Sequence, residues 1–525
     1  MLVLSMKSMT PIASAGLALA LLTPAAGQIW RSQEWSGYAG NAQHTAISQS
    51  LSASAMTKIL WSTPVDLNPQ YSGSELLIHY APPLVTYSGQ VMVTVKTSAG
   101  GDFQVEARNC LTGGLLFTQP TDYVLPPHGW TPTCTSSLNG LYGMVTPGIG
   151  GTIYYRNRTD LPTSDPRVTI QQWAFYGLDS YNANKATYNS NLYICTPLTV
   201  DNAGNTYFGF RTTGSTPTNV VSGVAKVTPA GVGSWVSATA ACADASITTP
   251  QMNCAPALSN DQRTLYVGVN SGGWTAGYLV GIDTATMQPK YSARCMDPRT
   301  GQPGALLDDS TATPMVGPDG DVYFGIFETG YYNDHGWLLH FDATLTQTKI
   351  PGAFGWDDTP SVVPSQCVPT YTGKSTYLLL AKYNNYVGLG PMGDGTNRVA
   401  ILDPNGSSPA PQNGPSATTG LPVNTMTPII SVLGPTPDQG ANLTTYPNAV
   451  HEWCINSAAI DVRGRCAILN SEDGNCYRWD FLTNKLSQTL SLSGGLGEAY
   501  TSTVIGRFGV SFAVNNARLC AVGKP

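Results

Sequence analysis

The sequence predicts an all-β chain folded into a single β-propeller of eight blades, with seven as the alternative count. Three observations carry this reading. A hairpin pattern recurs eight times. The composition is turn-rich and strand-rich. A lone strand-like segment near the N-terminus supplies what the last repeat lacks.

The repeated unit is a short apolar strand, a turn of Gly, Asn or Asp, and a strand rich in β-branched and aromatic residues. Its instances are PPLVTYSGQVMVTV from Pro82, TPGIGGTIYYRN from Thr146, TPLTVDNAGNTYFGF from Thr196 and APALSNDQRTLYVGV from Ala255. The series continues with TPMVGPDGDVYFGI from Thr313, the unit from Thr359, SAAIDVRGRCAILN from Ser457 and STVIGRFGVSFAV from Ser502. Several units add a third strand that ends at an Asp turn, as in YLVGIDTAT and WLLHFDATL. One such sheet cannot bury both of its faces, whereas a radial array packs each on the next and protects the edges. A linear solenoid is the runner-up.

Composition agrees. Charged residues are 11% of the chain, against about 25% in an average soluble protein. Gly (55), Pro (38) and Tyr (26) are plentiful, and 42% hydrophobic content is enough for a large core. Net charge is -6 with no Lys/Arg cluster, which excludes a phosphate-tracking surface and so a nucleic-acid partner.

From the N-terminus, residues 1–27 read as an export signal: Lys7, the apolar run ASAGLALALL, then small residues before Gln28. The mature chain is expected to be secreted or periplasmic, without a transmembrane segment, and monomeric. Residues 28–57 are a lead-in, and KILWSTPVDL (58–67) is the strand that closes the ring, because the last unit runs out of chain. The propeller spans 58–525, and the Pro/Gly/Ser/Thr-rich stretch 403–448 reads as an insertion between units six and seven. Eleven cysteines in an exported chain suggest disulfides. Neighbours in sequence are Cys110 with Cys134, Cys242 with Cys254, and Cys466 with Cys476.

The segment WSGYAGNAQHTA (35–46) followed by LWSTP (60–64) resembles the opening of the quinoprotein-like, PQQ-type repeat β-propellers. The T/A-P hairpins and D-x-x-T turns are similar to that family's blades. The resemblance implies the propeller fold. For activity it allows either a non-catalytic scaffold or a quinone-dependent oxidoreductase of alcohols or sugars. The sequence departs from the dehydrogenase pattern at two places: the blade-docking Trp is replaced, by Tyr291 and Ile350 among others, and there is no vicinal Cys-Cys. Both departures argue against pyrroloquinoline quinone. The cofactor is left open, with Ca²⁺ as a candidate.

In a propeller the loops before each first strand converge on one mouth of the channel, a pocket of the kind ligands use. Before successive T/A-P marks stand His79-Tyr80, Tyr193, Asp308-Asp309, Trp356-Asp357-Asp358, His451-Glu452-Trp453 and Glu498-Ala499-Tyr500. Asp308, Asp309, Asp357 and Asp358 could ligate a hard cation, which takes several oxygens. Asp309, Asp357, Asp358, His451, Glu452 and Glu498 could serve as acid and base on a sugar or ester. The same carboxylates could instead form Asx turns that hydrate the mouth.

A second cluster is aromatic: NSGGWTAGY (270–278), ETGYYNDHGW (328–337) and AKYNNYVGLG (381–390). It supplies Tyr331, Tyr332 and Trp337, to which the rim adds His79, Tyr80, Tyr193, Trp356, Trp453 and Tyr500 as ligand-binding candidates. A binding or scaffold propeller with a carbohydrate or protein partner is the leading functional expectation. An enzyme using the acidic mouth on a polysaccharide, or a quinone, is the alternative.

Overall fold

The computed structural model describes residues 35–48, 52–72, 75–76, 79–99, 101–127, 134–494 and 500–524. The export-signal segment lies outside them, as does Glu498. Eight antiparallel sheets are arranged as the blades of a propeller. Their first strands are Leu84–Val85, Ser137–Asn139, Thr199–Val200, Ala257–Leu258, Met315–Val316, Ser361–Pro364, Ala459–Asp461 and Val504–Ile505, for blades 1 to 8 in that order.

The burial pattern explains why these segments pack this way. Second strands such as Thr264–Asn270, Val322–Ile326 and Cys466–Asn470 are buried along their whole length. A strand covered on both faces by neighbouring blades reads as a continuous apolar run. Outer strands alternate instead, as Lys485–Ser491 does with its KLSQTLS sequence, because one face meets water.

Ring closure follows the sequence expectation. Lys58–Pro64 pairs antiparallel with Arg518–Gly523, matching Lys58 to Gly523 and Pro64 to Arg518. Blade 8 is thus three C-terminal strands plus one from the N-terminus.

Blade 2 differs from the expectation. The TPGIGG segment joins its second and third strands, Gly143–Pro147 and Thr152–Arg156. The first strand is Ser137–Asn139, which pairs with Gly143–Pro147 across the turn at Gly140. Both turns carry Gly between β-branched strands, so the pattern alone does not separate them. Within 403–448, Asn424–Leu433 is the fourth strand of blade 6 and pairs with Arg398–Pro409.

The disulfide expectation is corrected. None of the eleven cysteines is in a disulfide, and all are buried. Cys466 and Cys476 lie on adjacent strands, but the register sets Cys466 opposite Asp480 and Cys476 opposite Asn470, several residues apart along the ladder. The Cys242 thiol instead donates to the carbonyl of Ala238 on its own short helix, and the Cys110 thiol to the carbonyl of Arg507. Among the described residues no helix is long and apolar enough to cross a membrane.

The lead-in forms a belt inside the ring. Trp35 exchanges two backbone bonds with Val85 of blade 1, and Ser36 accepts from Leu138 of blade 2. Ala42, Gln43, Thr45 and Ala46 then accept from Leu258, Val316, Val362 and Ile460 of blades 4, 5, 6 and 7. The belt therefore visits six first strands in ring order. Each first strand has an open edge toward the channel, and a buried unpaired backbone group is costly. Ala39, His44 and Ala46 adopt positive φ to follow this path. Trp35 is fully buried, and His44 bonds through Nδ1 to the Pro314 carbonyl at 2.7 Å.

Candidate functional site

The acidic residues of the mouth do not converge on one point. Asp308, on the loop before blade 5, is buried and paired bidentately with Arg211 of blade 3 at 2.6 and 2.9 Å. It also accepts from Gly273 N at 2.6 Å and from Asn270 Nδ2 at 3.1 Å. Burial works against its ionisation, but Arg211 and these donors outweigh it and hold the carboxyl below its ordinary range. With its oxygens committed in this way, Asp308 acts as a strut between blades.

Asp357 and Asp358 differ in their surroundings. Asp357 accepts from Thr311 N at 2.7 Å and Thr311 Oγ1 at 2.5 Å, and lies 3.4 Å from Lys382 Nζ. Asp358 is 1% exposed, and its Oδ2 has no hydrogen-bond partner. Desolvation pushes its carboxyl up to about 8, opposed by Lys382 and reinforced by Asp357. Lys382 itself is buried, which disfavours its charge. The acidic side chains around it, Asp357 foremost, outweigh that and raise its pKa. Below, Tyr38 of the belt bonds through its hydroxyl to Asn456 and to the Thr311 carbonyl, so the belt supports the floor under this group.

Blade 7 adds a third group. Ligand atoms of Glu452, Cys454 and Glu472 lie within 4.8 Å of one another, a spacing a metal ion could bridge. His451 Nδ1 stands 3.2 Å from Glu472 Oε1, and hydrogen bonding to Glu472 raises its pKa. Lys382 links this set to the Asp357 group, because Cys454 and Glu452 also act on its charge.

The aromatic loops do come together. Trp274 of blade 4 stacks on Tyr331 of blade 5, with centroids 5.6 Å apart and planes 17° from parallel. Phe327 and Trp356 pack edge-on or tilted against the pair at 5.3–6.4 Å. Trp274 is 45% exposed and Tyr331 65%. The Trp274 indole N–H donates to Asp309 Oδ2 at 3.1 Å, while Asp309 Oδ1 has no hydrogen-bond partner. One buried carboxylate organises the Tyr331 loop. Glu328 accepts from Tyr332 N, Asn333 N and Asp334 N through Oε1, and from Gly336 N at 2.6 Å through Oε2. Gly336 has φ +59, and a Cβ there would meet the Ile326 carbonyl at 2.0 Å, so the loop needs glycine at this point.

The other candidates are structural in their contacts. Trp337 and Trp453 are core residues, each 1% exposed. Tyr80 donates to Asp66 at 2.9 Å, and Tyr193 to the Ser190 carbonyl at 3.0 Å. His79 bonds Asn253 and meets the Tyr500 ring at 5.5 Å. Tyr332 lies under the Arg299 guanidinium at 4.1 Å. Sequence reasoning placed the Trp274 segment in the aromatic cluster without singling out that residue, and passed over Arg211, Lys382 and Glu472. The signal for the two cations was a charge closing an otherwise apolar strand, in TYFGFRT and YLLLAKY.

Pyrroloquinoline quinone, which the resemblance implies, is a flat polycarboxylate that needs free cations. Arg211 and Lys382, the cations found in this acidic group, are both held by carboxylates. The residues present do not fit it, and no step is derived through it.

No family model matches the sequence, and no curated protein matches it. Among solved structures the chain is similar to the quinohemoprotein alcohol dehydrogenase from Comamonas testosteroni, with 11% identity and a TM-score of 0.49 over 94% of this chain and 77% of that one. It is also similar to BamB from Moraxella catarrhalis, with 11% identity and a TM-score of 0.42 over 83% of this chain and 92% of that one. The computationally designed Ika8 protein gives 12% identity and a TM-score of 0.43 over 91% and 99%. These likenesses are of fold, and the eight-bladed ring itself rests on the strand topology.

Proposed function

We propose that this protein is an exported binding propeller that holds a carbohydrate on the aromatic patch of blades 4 and 5. The observation that carries the reading is the exposed, nearly parallel pair Trp274 and Tyr331, whose indole N–H is anchored on Asp309. A sugar ring offers an apolar C–H face to flat aromatic rings. Rigid aromatic side chains give contact area at low entropic cost. Glu328 fixes the loop, so the patch is formed before the ligand arrives.

Titration of the full chain with neutral oligosaccharides, followed by tryptophan fluorescence, tests this. Trp274→Ala and Tyr331→Ala should each weaken binding about tenfold or more while leaving the melting temperature near that of the parent. Binding retained in both folded variants would refute the proposal. A second reading, acid–base chemistry at the mouth, is favoured by one observation, the buried Asp358, its carboxyl pushed up to about 8 by desolvation, next to Asp357, which pairs with Lys382. Hydrolysis of a bound oligosaccharide that disappears in Asp358→Asn would support it.

A further inference from the structure

The aromatic patch of blades 4 and 5 has a charge as well as a shape. Its rings and their supports come from four segments, 270–278, 307–310, 327–337 and 354–358. Together these hold six acidic residues, Asp308, Asp309, Glu328, Asp334, Asp357 and Asp358, and no Lys or Arg. The whole chain has 26 basic residues against 32 acidic ones, so the imbalance is concentrated here. A surface of one sign draws ligands of the other.

Three of the six acids are accounted for within the fold. Arg211 pairs with Asp308 and Lys382 with Asp357, and desolvation pushes the Asp358 carboxyl up to about 8. Asp309, Glu328 and Asp334 have no ion-pair partner among the described residues. Asp309 is half-buried and receives the Trp274 indole N–H at 3.1 Å. Glu328 accepts backbone N–H groups of the loop that carries Tyr331, which fix the carboxylate in place without a counter-charge. Burial and the Glu328 carboxylate raise the Asp334 pKa, the response of an acid that faces like charge. One base borders this loop: the Arg299 guanidinium lies over the Tyr332 ring at 4.1 Å and donates to the Thr329 carbonyl at 3.4 Å. One base therefore stands against three acids.

The faces of Trp and Tyr rings are electron-rich and attract an ammonium group. Carboxylates beside them add to that attraction over several ångströms, because water at a protein surface screens it only in part. A neutral sugar uses the stacking surface and gains nothing from the charge. An anionic sugar is repelled. A sugar ring that carries a free amine matches both properties.

We infer that the ligand of the Trp274–Tyr331 patch is a cationic carbohydrate, an oligomer or polymer of amino sugars with free amines, its rings on the aromatic pair and its ammonium groups held by the field of Asp309, Glu328 and Asp334. The inference rests on the carbohydrate reading above and narrows it to one substrate class.

Tryptophan-fluorescence titration of the full chain with β-linked hexamers of glucosamine, of N-acetylglucosamine and of glucose tests it, at a mildly acidic pH where the free amines are protonated. The glucosamine hexamer should bind about fivefold or more tightly than either neutral hexamer, and high salt should reduce that advantage. Asp309→Asn removes the charge and keeps an oxygen for the Trp274 indole. Combined with Asp334→Asn, it should bring the hexamers within about twofold of one another. If the double variant does not fold, Asp334→Asn alone should lose part of the advantage. Trp274→Ala should weaken every hexamer that binds. Equal binding of the hexamers, or tighter binding of a neutral one, would overturn the inference and leave the carbohydrate reading standing. No binding of any hexamer would remove that reading and the inference with it. Glucosamine binding untouched by Trp274→Ala would overturn the inference by moving the cation away from the patch. Hexalysine binding as tightly as the glucosamine hexamer would also overturn it, because hexalysine has the charge without the sugar.

Discussion

Replacing Asp358 with asparagine is expected to stabilise this protein at neutral pH. The carboxyl is 1% exposed, one of its oxygens has no partner, and its pKa is pushed up to about 8 by burial. In the unfolded chain the same group titrates near 3.9. Between those values the folded state binds a proton that the unfolded state does not. Stability contributed by this group is therefore complete below about pH 4 and falls as pH rises toward 8, by about 1.4 kcal/mol per unit. At pH 7 about three units of that window have been crossed, which costs about 4 kcal/mol. An asparagine side chain has nearly the same shape and cannot ionise, so it removes the slope. Allowing for imperfect replacement of the hydroxyl by an amide, the gain at pH 7 should be about 2–4 kcal/mol. For a chain of this size that is about 2–4 °C in melting temperature. Parallel thermal and urea melts at pH 4.5 and pH 7.5 are the assay. The variant should melt above the parent at pH 7.5 and close to it at pH 4.5. A variant that is destabilised equally at both values would refute the argument, because it would mean the carboxyl is ionised and paired in the folded protein.

Removing one partner of a buried ion pair strands the other, so Arg211→Met should cost about 3–5 kcal/mol, read from urea denaturation. The double change Arg211→Met with Asp308→Leu should recover most of it. Because the Asp308 pKa is depressed, its contribution is present above about pH 4 and lost below it, so the parent and Arg211→Met curves should converge in acid. Trp35→Ala, which empties a fully buried site in the belt, should cost about 3–5 kcal/mol. Thiol titration should find no rapidly reacting cysteine in the native protein and eleven after denaturation without reductant; fewer than eleven would restore the disulfide expectation.

The ring was legible because its signal is local. Each hairpin announces itself by a turn between an apolar strand and a β-branched one, and a dozen residues suffice to see it. Blade 2 was misread by one strand because Gly148–Gly151 and Gly140 are both acceptable turns, and only pairing with Ser137–Asn139 separates them. The mouth was half legible. Its carboxylates could be listed from repeat position, yet their state depends on Arg211, which is 97 residues from Asp308 in sequence, and on Lys382 from the next blade. The aromatic loops could be found and assigned to one shared face. Trp337 and Trp274 were still exchanged, since both begin strands and look alike until burial is known. Nothing in 35–48 beyond its small and amide-bearing residues hinted that it lies inside the ring.

That segment also works as a gauge. Thirteen residues from Trp35 to Ile47 reach from blade 1 to blade 7, and peptide geometry limits how far such a stretch can extend. A ring with one blade more or fewer has a different circumference and would leave Val85 or Ile460 out of reach of the same residues. Blade number is therefore set twice, by the angle between neighbouring sheets and by the length of a thread measured against all of them. Inserting or deleting two residues within 35–48 should accordingly impair assembly of the whole ring and not of any single blade.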